Sequence, residues 1–374
     1  MLYLFYGVTI LYSFLRKKPN KYLWIWIATL LCLLSVTSET YADLDGYTRV
    51  FELANSGQSI FLIQDWPVLW LAICKLFGMF GFNYRGMILF ILVISTYLFH
   101  RFVRTESRNE NLFWAMFLLF PALVNIVQLR FYLGTAIAIQ SIKLLFNEDR
   151  FWMLKYFLIV VLATMIHSSC IIFIIFIAAK YFVNKKKIWI ITGSIFGVFI
   201  STLLTNYLPA IASVFIDTAR MNRYFYQGSE SMTNLGMTKV AILWIAGILM
   251  MLYCISFNPK RYKFCSSSEE LYDRTALFIM CLCGVCFPLM TFDANFFRII
   301  EFGYLICYVS ISNCWKNSFN RIAAINKKYI VTKEAITLLI TCIVILSFGT
   351  SVYAPMETVI EPLFKYDRFV NILK

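Results

Sequence analysis

Apolar runs of near-bilayer length recur from one end of this chain to the other, separated by short loops rich in Lys and Arg. A helix needs roughly 17–25 apolar residues to cross a membrane. Runs of about that length lie near 1–15, 22–37, 84–100, 112–128, 131–146, 151–166, 168–183, 188–206, 238–257, 274–290, 298–314 and 335–352. A water-soluble fold has too little interior to hide them all. Composition agrees, with 60% hydrophobic and only 14% charged residues. Soluble enzymes, disulfide scaffolds and disordered chains are thereby excluded. The expected fold class is all-α: a polytopic integral membrane protein of about twelve transmembrane helices, with residues 1–374 forming a single transmembrane domain and no soluble domain. The start, MLYLFYGVTILYSFL, has no basic n-region and runs straight into RKKPNK, which reads as a retained anchor.

Charge sets the orientation. The net charge of +14 points to cytoplasmic loops and anionic headgroups rather than to nucleic acid. RKKPNK (16–21), HRFVRTESRNEN (100–111), KKK (185–187), NPKRYKF (258–264) and KNSFNRIAAINKK (316–328) are the basic loops expected inside. That assignment requires an odd number of spans between the acidic 38–65 loop and 100–111. The apolar stretch 66–81, which opens with Asp65-Trp66-Pro67 and carries Lys75, is therefore expected to be a half-helix or interfacial segment on the outer side. Segments 38–65 and 207–237 become the long outer loops. Cys281, Cys283 and Cys286 do not share one helix face and lack a His or carboxylate to complete a metal set. They read as small packing residues.

The same orientation brings Asp43, Asp45, Asp65, Arg130, His167, Arg220, Arg223 and Arg298 to the outer side, several of them at span ends with almost no loop. Ionisable groups at such depth usually face a bundle interior or a wet cavity. An outward-facing polar cavity is expected. Its arginines present planar forks suited to phosphate oxygens. Carboxylates and an imidazole nearby supply proton acceptors and donors. The duller readings are that Arg130 snorkels to the headgroups, that His167 is a hydrogen-bonded core residue, and that Arg220 and Arg223 with Tyr224 and Tyr226 anchor the interface.

Six short motifs follow one another along the chain: D-x-x-x-Y (Asp43 to Tyr47), the Asp65-x-Pro67 step, Q-x-R-x-x-x-G-x-A (Gln128, Arg130, Gly134, Ala136), H-S-S (His167, Ser168, Ser169), R-x-x-R-Y-x-Y (Arg220, Arg223, Tyr224, Tyr226) and N-x-x-R (Asn295, Arg298). In this order the chain resembles the EpsG/Wzy-type bacterial polysaccharide polymerases. The resemblance implies a multi-pass protein of the bacterial cytoplasmic membrane with its active site facing outside. Its activity would be to transfer a growing glycan from undecaprenyl pyrophosphate onto an incoming lipid-linked repeat unit of a capsule, exopolysaccharide or O-antigen. Arg130, Arg220, Arg223 and Arg298 would hold the donor pyrophosphate. Asp43, Asp45 or Asp65 would be the general base, with His167 the alternative. No cofactor is implied, a divalent cation at Asp43/Asp45 being the less favoured alternative. The implied partners are the lipid-linked oligosaccharide, membrane lipid, a flippase and a chain-length regulator, with no nucleic acid. Two competing classes fit the span count: a flippase of the same lipid-linked oligosaccharides, and a membrane O-acyltransferase using His167 with Ser168 nearby.

Overall fold

A computed structural model describes residues 2–16, 18–38, 41, 43–63, 66–146, 150–183, 186–207, 209–210, 233–256, 267–292, 294–322 and 360–365. Among these the regular structure is helical, with no strand. Three helices, Tyr84–Glu106, Leu129–Phe146 and Asn234–Ile255, are long and apolar enough to cross a membrane. Shorter apolar helices occupy most of the other expected spans, and 335–352 lies outside the described residues. The chain divides into two compact units, one of Met1–Ile174 with Ile345–Lys374 and one of Ile175–Val344.

The first unit runs α1 (Leu2–Leu15), α2 (Leu23–Thr37), α3 (Leu44–Asn55), α4 (Val68–Met79), α5 (Tyr84–Glu106), α6 (Glu110–Leu119), α7 (Ala122–Val127), α8 (Leu129–Ala138) and α9 (Trp152–Thr164). A 3-10 segment, Ile139–Phe146, extends α8, and another, Ser168–Ala178, follows α9. The 23 residues of α5 reach about 34 Å, enough to cross the hydrocarbon layer. Asn83 caps its start by accepting a hydrogen bond from Gly86 N at 2.8 Å, and Arg104 sits in its last turn, where the helix dipole favours a cation. α5 packs between α2 and α8, α1 lies on α6, and α3 lies on α4.

One end of this unit gathers the basic loops. Asn111, fully buried at the start of α6, donates to Arg16 O (3.0 Å) and Lys18 O (2.8 Å) and accepts from Asn20 N (3.1 Å). The basic loops 16–21 and 100–111 therefore meet at one end, where Lys143 also reaches Arg101 O at 3.5 Å. At the other end of α5, Arg85 donates to Val36 O and Ser38 O, both at 2.9 Å. The positive-inside reading required the two basic loops to share an end, and they do.

Two local features depart from the sequence expectation. Part of the 38–65 loop is an amphipathic helix, α3, with Leu44, Tyr47, Val50, Phe51 and Ala54 buried and Asp45, Arg49 and Glu52 exposed. The run 112–128, expected as one span, is broken into α6 and α7. Pro121 disfavours helical geometry at the residue before it, and Phe120 is extended (φ −166°, ψ 130°). The 66–81 segment forms α4, whose 12 residues reach about 18 Å, short of the hydrocarbon thickness.

The second unit contains α10 (Ala179–Phe182), α11 (Lys187–Leu203), α12 (Asn234–Ser256), α13 (Ser267–Val285) and α14 (Arg298–Ile322). α13 is central and touches α11, α12 and α14. Glycines permit the close approach expected of helices packing without a water-driven force. A Cβ on Gly284 would come within 2.4 Å of the Trp244 indole, which donates to Met280 O at 2.7 Å. Cys281, Cys283 and Cys286 are buried, and the Cys283 thiol packs on Gly303 and donates to Ile299 O.

Candidate functional site

The break between α7 and α8 positions Arg130. Gln128 leaves helical geometry (φ −96°, ψ 54°), so α8 starts afresh at Leu129 and carries Arg130 in its first turn. The half-buried guanidinium lies over two rings. Its Cζ is 4.1 Å from the centroid of Trp66 and 5.1 Å from that of Tyr47. Tyr47 comes from the buried face of α3 and Trp66 directly precedes α4. Their rings meet edge to face at 5.9 Å, and Tyr47 also neighbours Trp70 (6.1 Å) and Tyr84 (6.3 Å). Three separate stretches of chain thus build one aromatic cluster, and a fourth, α8, lays its cation on two of the rings.

The seat leaves the cation's edge chemically unspent. Arg130 Nε is buried without a hydrogen-bond partner among the described residues, and no described carboxylate lies within ion-pair distance of the guanidinium. Rings attract a cation through their faces without neutralising it. The N–H donors at the guanidinium edge remain suited to oxygens of an anion. The helix start beneath Arg130 adds its own partial positive charge. Nearby, buried Tyr41 lies 3.4 Å from Ser35 Oγ, and burial pushes its phenol above the usual range, so it stays neutral.

His167 sits against the next turn of α8. Its ring meets Phe131 edge-on at 5.5 Å. A Cβ on Gly134 would come within 2.8 Å of Cys170 Sγ and 3.5 Å of His167 Cβ, so the glycine of the Q-x-R-x-x-x-G run makes room for the His167 segment. His167 is buried, with Nδ1 at 2.7 Å from Ser169 Oγ. This contact is made by Ser169 rather than by the Ser168 of the acyltransferase alternative. Leu69 N donates to Met165 O at 3.1 Å, tying the start of α4 to the end of α9. Trp66 and His167 are therefore held by adjoining backbone on either side of the same hydrogen bond.

Asp43 and Asp45 are both exposed at the start of α3, within one helical turn of Tyr47. Asp43 adopts a left-handed backbone (φ 69°), and its carbonyl accepts Tyr47 N at 3.0 Å. Its carboxylate makes no capping bond. Asp65, next to Trp66 in sequence, lies outside the described residues, as do Arg220 and Arg223. Arg298 belongs to the second unit, half-buried at the first position of α14. Glu301, three residues on and wholly buried, has both carboxylate oxygens without a hydrogen-bond partner among the described residues. The structure thus brings Arg130, His167 and the Asp43/Asp45 turn into one neighbourhood of the first unit.

Trp66, the ring nearer to Arg130, is a neighbour that the sequence motifs do not single out. Its signal is its place between Asp65 and Pro67, ahead of the apolar segment 66–81 that charge already sets apart as a half-helix.

Comparison with known proteins gives one match of family scale. A model of the EpsG family matches residues 20–359, about nine-tenths of the chain. No curated protein and no solved structure matches it.

Proposed function

The chain belongs to the EpsG family, and from that premise we propose that it polymerises lipid-linked oligosaccharide repeat units at the outer face of the cytoplasmic membrane. In this reading a hydroxyl of the incoming unit attacks the anomeric carbon of the growing glycan. The bond from that carbon to the pyrophosphate oxygen breaks, the lipid pyrophosphate leaves with its electron pair, and the hydroxyl proton passes to a base. The developing charge is on phosphate oxygens, so a fixed cation beside them lowers the barrier most.

The observation that carries the proposal is Arg130, held by its faces on Trp66 and Tyr47 with its edge donors available and no described carboxylate to neutralise it. A cation so fixed meets the leaving group without reorganising. Asp43, on its exposed turn, and His167, oriented by Ser169, are the two base candidates. A base must come within about 3 Å of the hydroxyl it serves. The guanidinium supplies the electrostatic role that a divalent cation at Asp43/Asp45, the less favoured alternative, would otherwise take. Arg220, Arg223 and Arg298 carry phosphate-binding roles implied by the resemblance, and single alanine substitutions test each of them separately.

The experiment is complementation of a strain lacking this chain. Loss of the activity leaves single repeat units on lipid at the outer face. The wild-type gene restores long polymer, and Arg130→Ala, inserted at normal levels, does not. Full-length polymer from Arg130→Ala overturns the phosphate role. If the deletion leaves no unit exposed outside, the chain is a flippase. If it leaves chain length unchanged, the Ser169–His167 pair points instead to acyl transfer.

A further inference from the structure

Away from Arg130, at the opposite, basic end of the first unit, α1 and α2 diverge. α1 packs mainly on α6 and α2 on α5, and the wedge between them forms an open groove of about 290 Å³. Phe5, Val8 and Tyr12 form one wall, Leu23 and Trp26 the other, and Asn20 stands at the mouth. The floor is closed by a hydrogen bond from Trp26 Nε1 to Thr9 Oγ1 at 2.8 Å. The walls suit a hydrocarbon chain, and Val8 and Phe5 face outward, half exposed.

The mouth has a different chemistry. Arg16 stacks its guanidinium over the Tyr12 ring at 5.2 Å, while Asn20 Nδ2 donates to the Tyr12 hydroxyl at 3.3 Å. Lys21 lies over Tyr22 at 4.9 Å, and Lys18 is exposed between them. No described carboxylate pairs with any of the three. The loop that carries them is held by the three Asn111 hydrogen bonds, so the cations are anchored beside the groove. An apolar slot opening under a fixed, unneutralised basic rim is complementary to one molecule class: a lipid with an anionic phosphate headgroup.

We infer that the α1/α2 groove binds an anionic phospholipid of the inner leaflet, with an acyl chain between Val8 and Trp26 and the headgroup phosphate at Arg16 and Lys21. The site is independent of the polymerase reading and would hold if that reading failed.

The test is native mass spectrometry of the full chain in detergent, titrated with phosphatidylglycerol, phosphatidylcholine or inorganic phosphate. Phosphatidylglycerol should be retained and phosphatidylcholine should not. R16Q/K21Q should weaken retention by about 25-fold, roughly fivefold per cation removed. V8W, which fills the groove at an outward position without altering charge, should abolish it. Unchanged elution on size exclusion confirms that both variants fold. Equal retention of the two lipids, or of phosphatidylglycerol by either variant, overturns the proposal. So does displacement of the lipid by inorganic phosphate, which would make the rim a simple anion site.

Discussion

Substituting Trp66 with leucine removes the nearer of the two rings beneath Arg130 while leaving the arginine, its charge and α8 in place. The Cζ-to-centroid distance of 4.1 Å is well within cation–π range. Such contacts are worth about 0.5–1 kcal/mol in water and about 2 kcal/mol when desolvated. Arg130 is half-buried, so a loss of about 1–2 kcal/mol follows, which is about five- to thirty-fold in kcat/KM at 1.36 kcal/mol per decade. Trp66→Phe keeps a ring face and should stay within about threefold of wild type. The Tyr47 ring at 5.1 Å retains part of the seat in both variants. The assay is initial-rate polymerisation by purified protein in lipid on a defined pyrophosphate-linked unit, with thermal stability measured in parallel. A Trp66→Leu protein of wild-type activity, or a Trp66→Phe protein as impaired as the leucine variant, would refute the idea that the ring face holds the cation.

Three further outcomes follow from local geometry. Gly134→Ala should cost about 1–3 kcal/mol and lower turnover, because its Cβ would meet Cys170 Sγ at 2.8 Å; adding Cys170→Ala should restore both, read by melting temperature and rate. Asn111→Ala removes three hydrogen bonds that clamp the 16–21 loop and should lower stability by about 2–3 kcal/mol, with proteolysis in that loop as the readout. Asp43→Gly should fold as well as wild type, since glycine tolerates φ 69°, whereas Asp43→Ala should lose about 1 kcal/mol; if Asp43 is the base, both lose turnover, and a fully active glycine variant would remove it from that role.

Much of this architecture is legible in the order of apolar and charged residues. The apolar runs marked helices, and Arg130 and His167 stood out because ionisable groups are rare among them. The basic loops 16–21 and 100–111 announced a shared end, which Asn111 then makes physical. What stayed hidden has physical reasons. In a run as uniformly apolar as 112–128 the hydrophobic periodicity is flat, so only Pro121 hints at the break between α6 and α7, and nothing in residue type marks the second break at Gln128 that starts α8. α3 was obscured by its acidic residues, although Leu44, Tyr47, Phe51 and Ala54 fall at helical spacing. Trp66 could not be singled out by type in a chain with 18% aromatic residues. Its meaning comes from the ring–cation distance, which depends on three other segments closing around it.

The most direct measurement is product sizing after the purified chain, reconstituted in lipid, is given a chemically defined undecaprenyl-pyrophosphate repeat unit and nothing else. A ladder of multiples of that unit, formed by the wild-type protein and absent with Arg130→Ala, is the expected result. A substrate that stays monomeric with a folded, correctly inserted wild-type protein, or a ladder that persists without Arg130, would contradict the account.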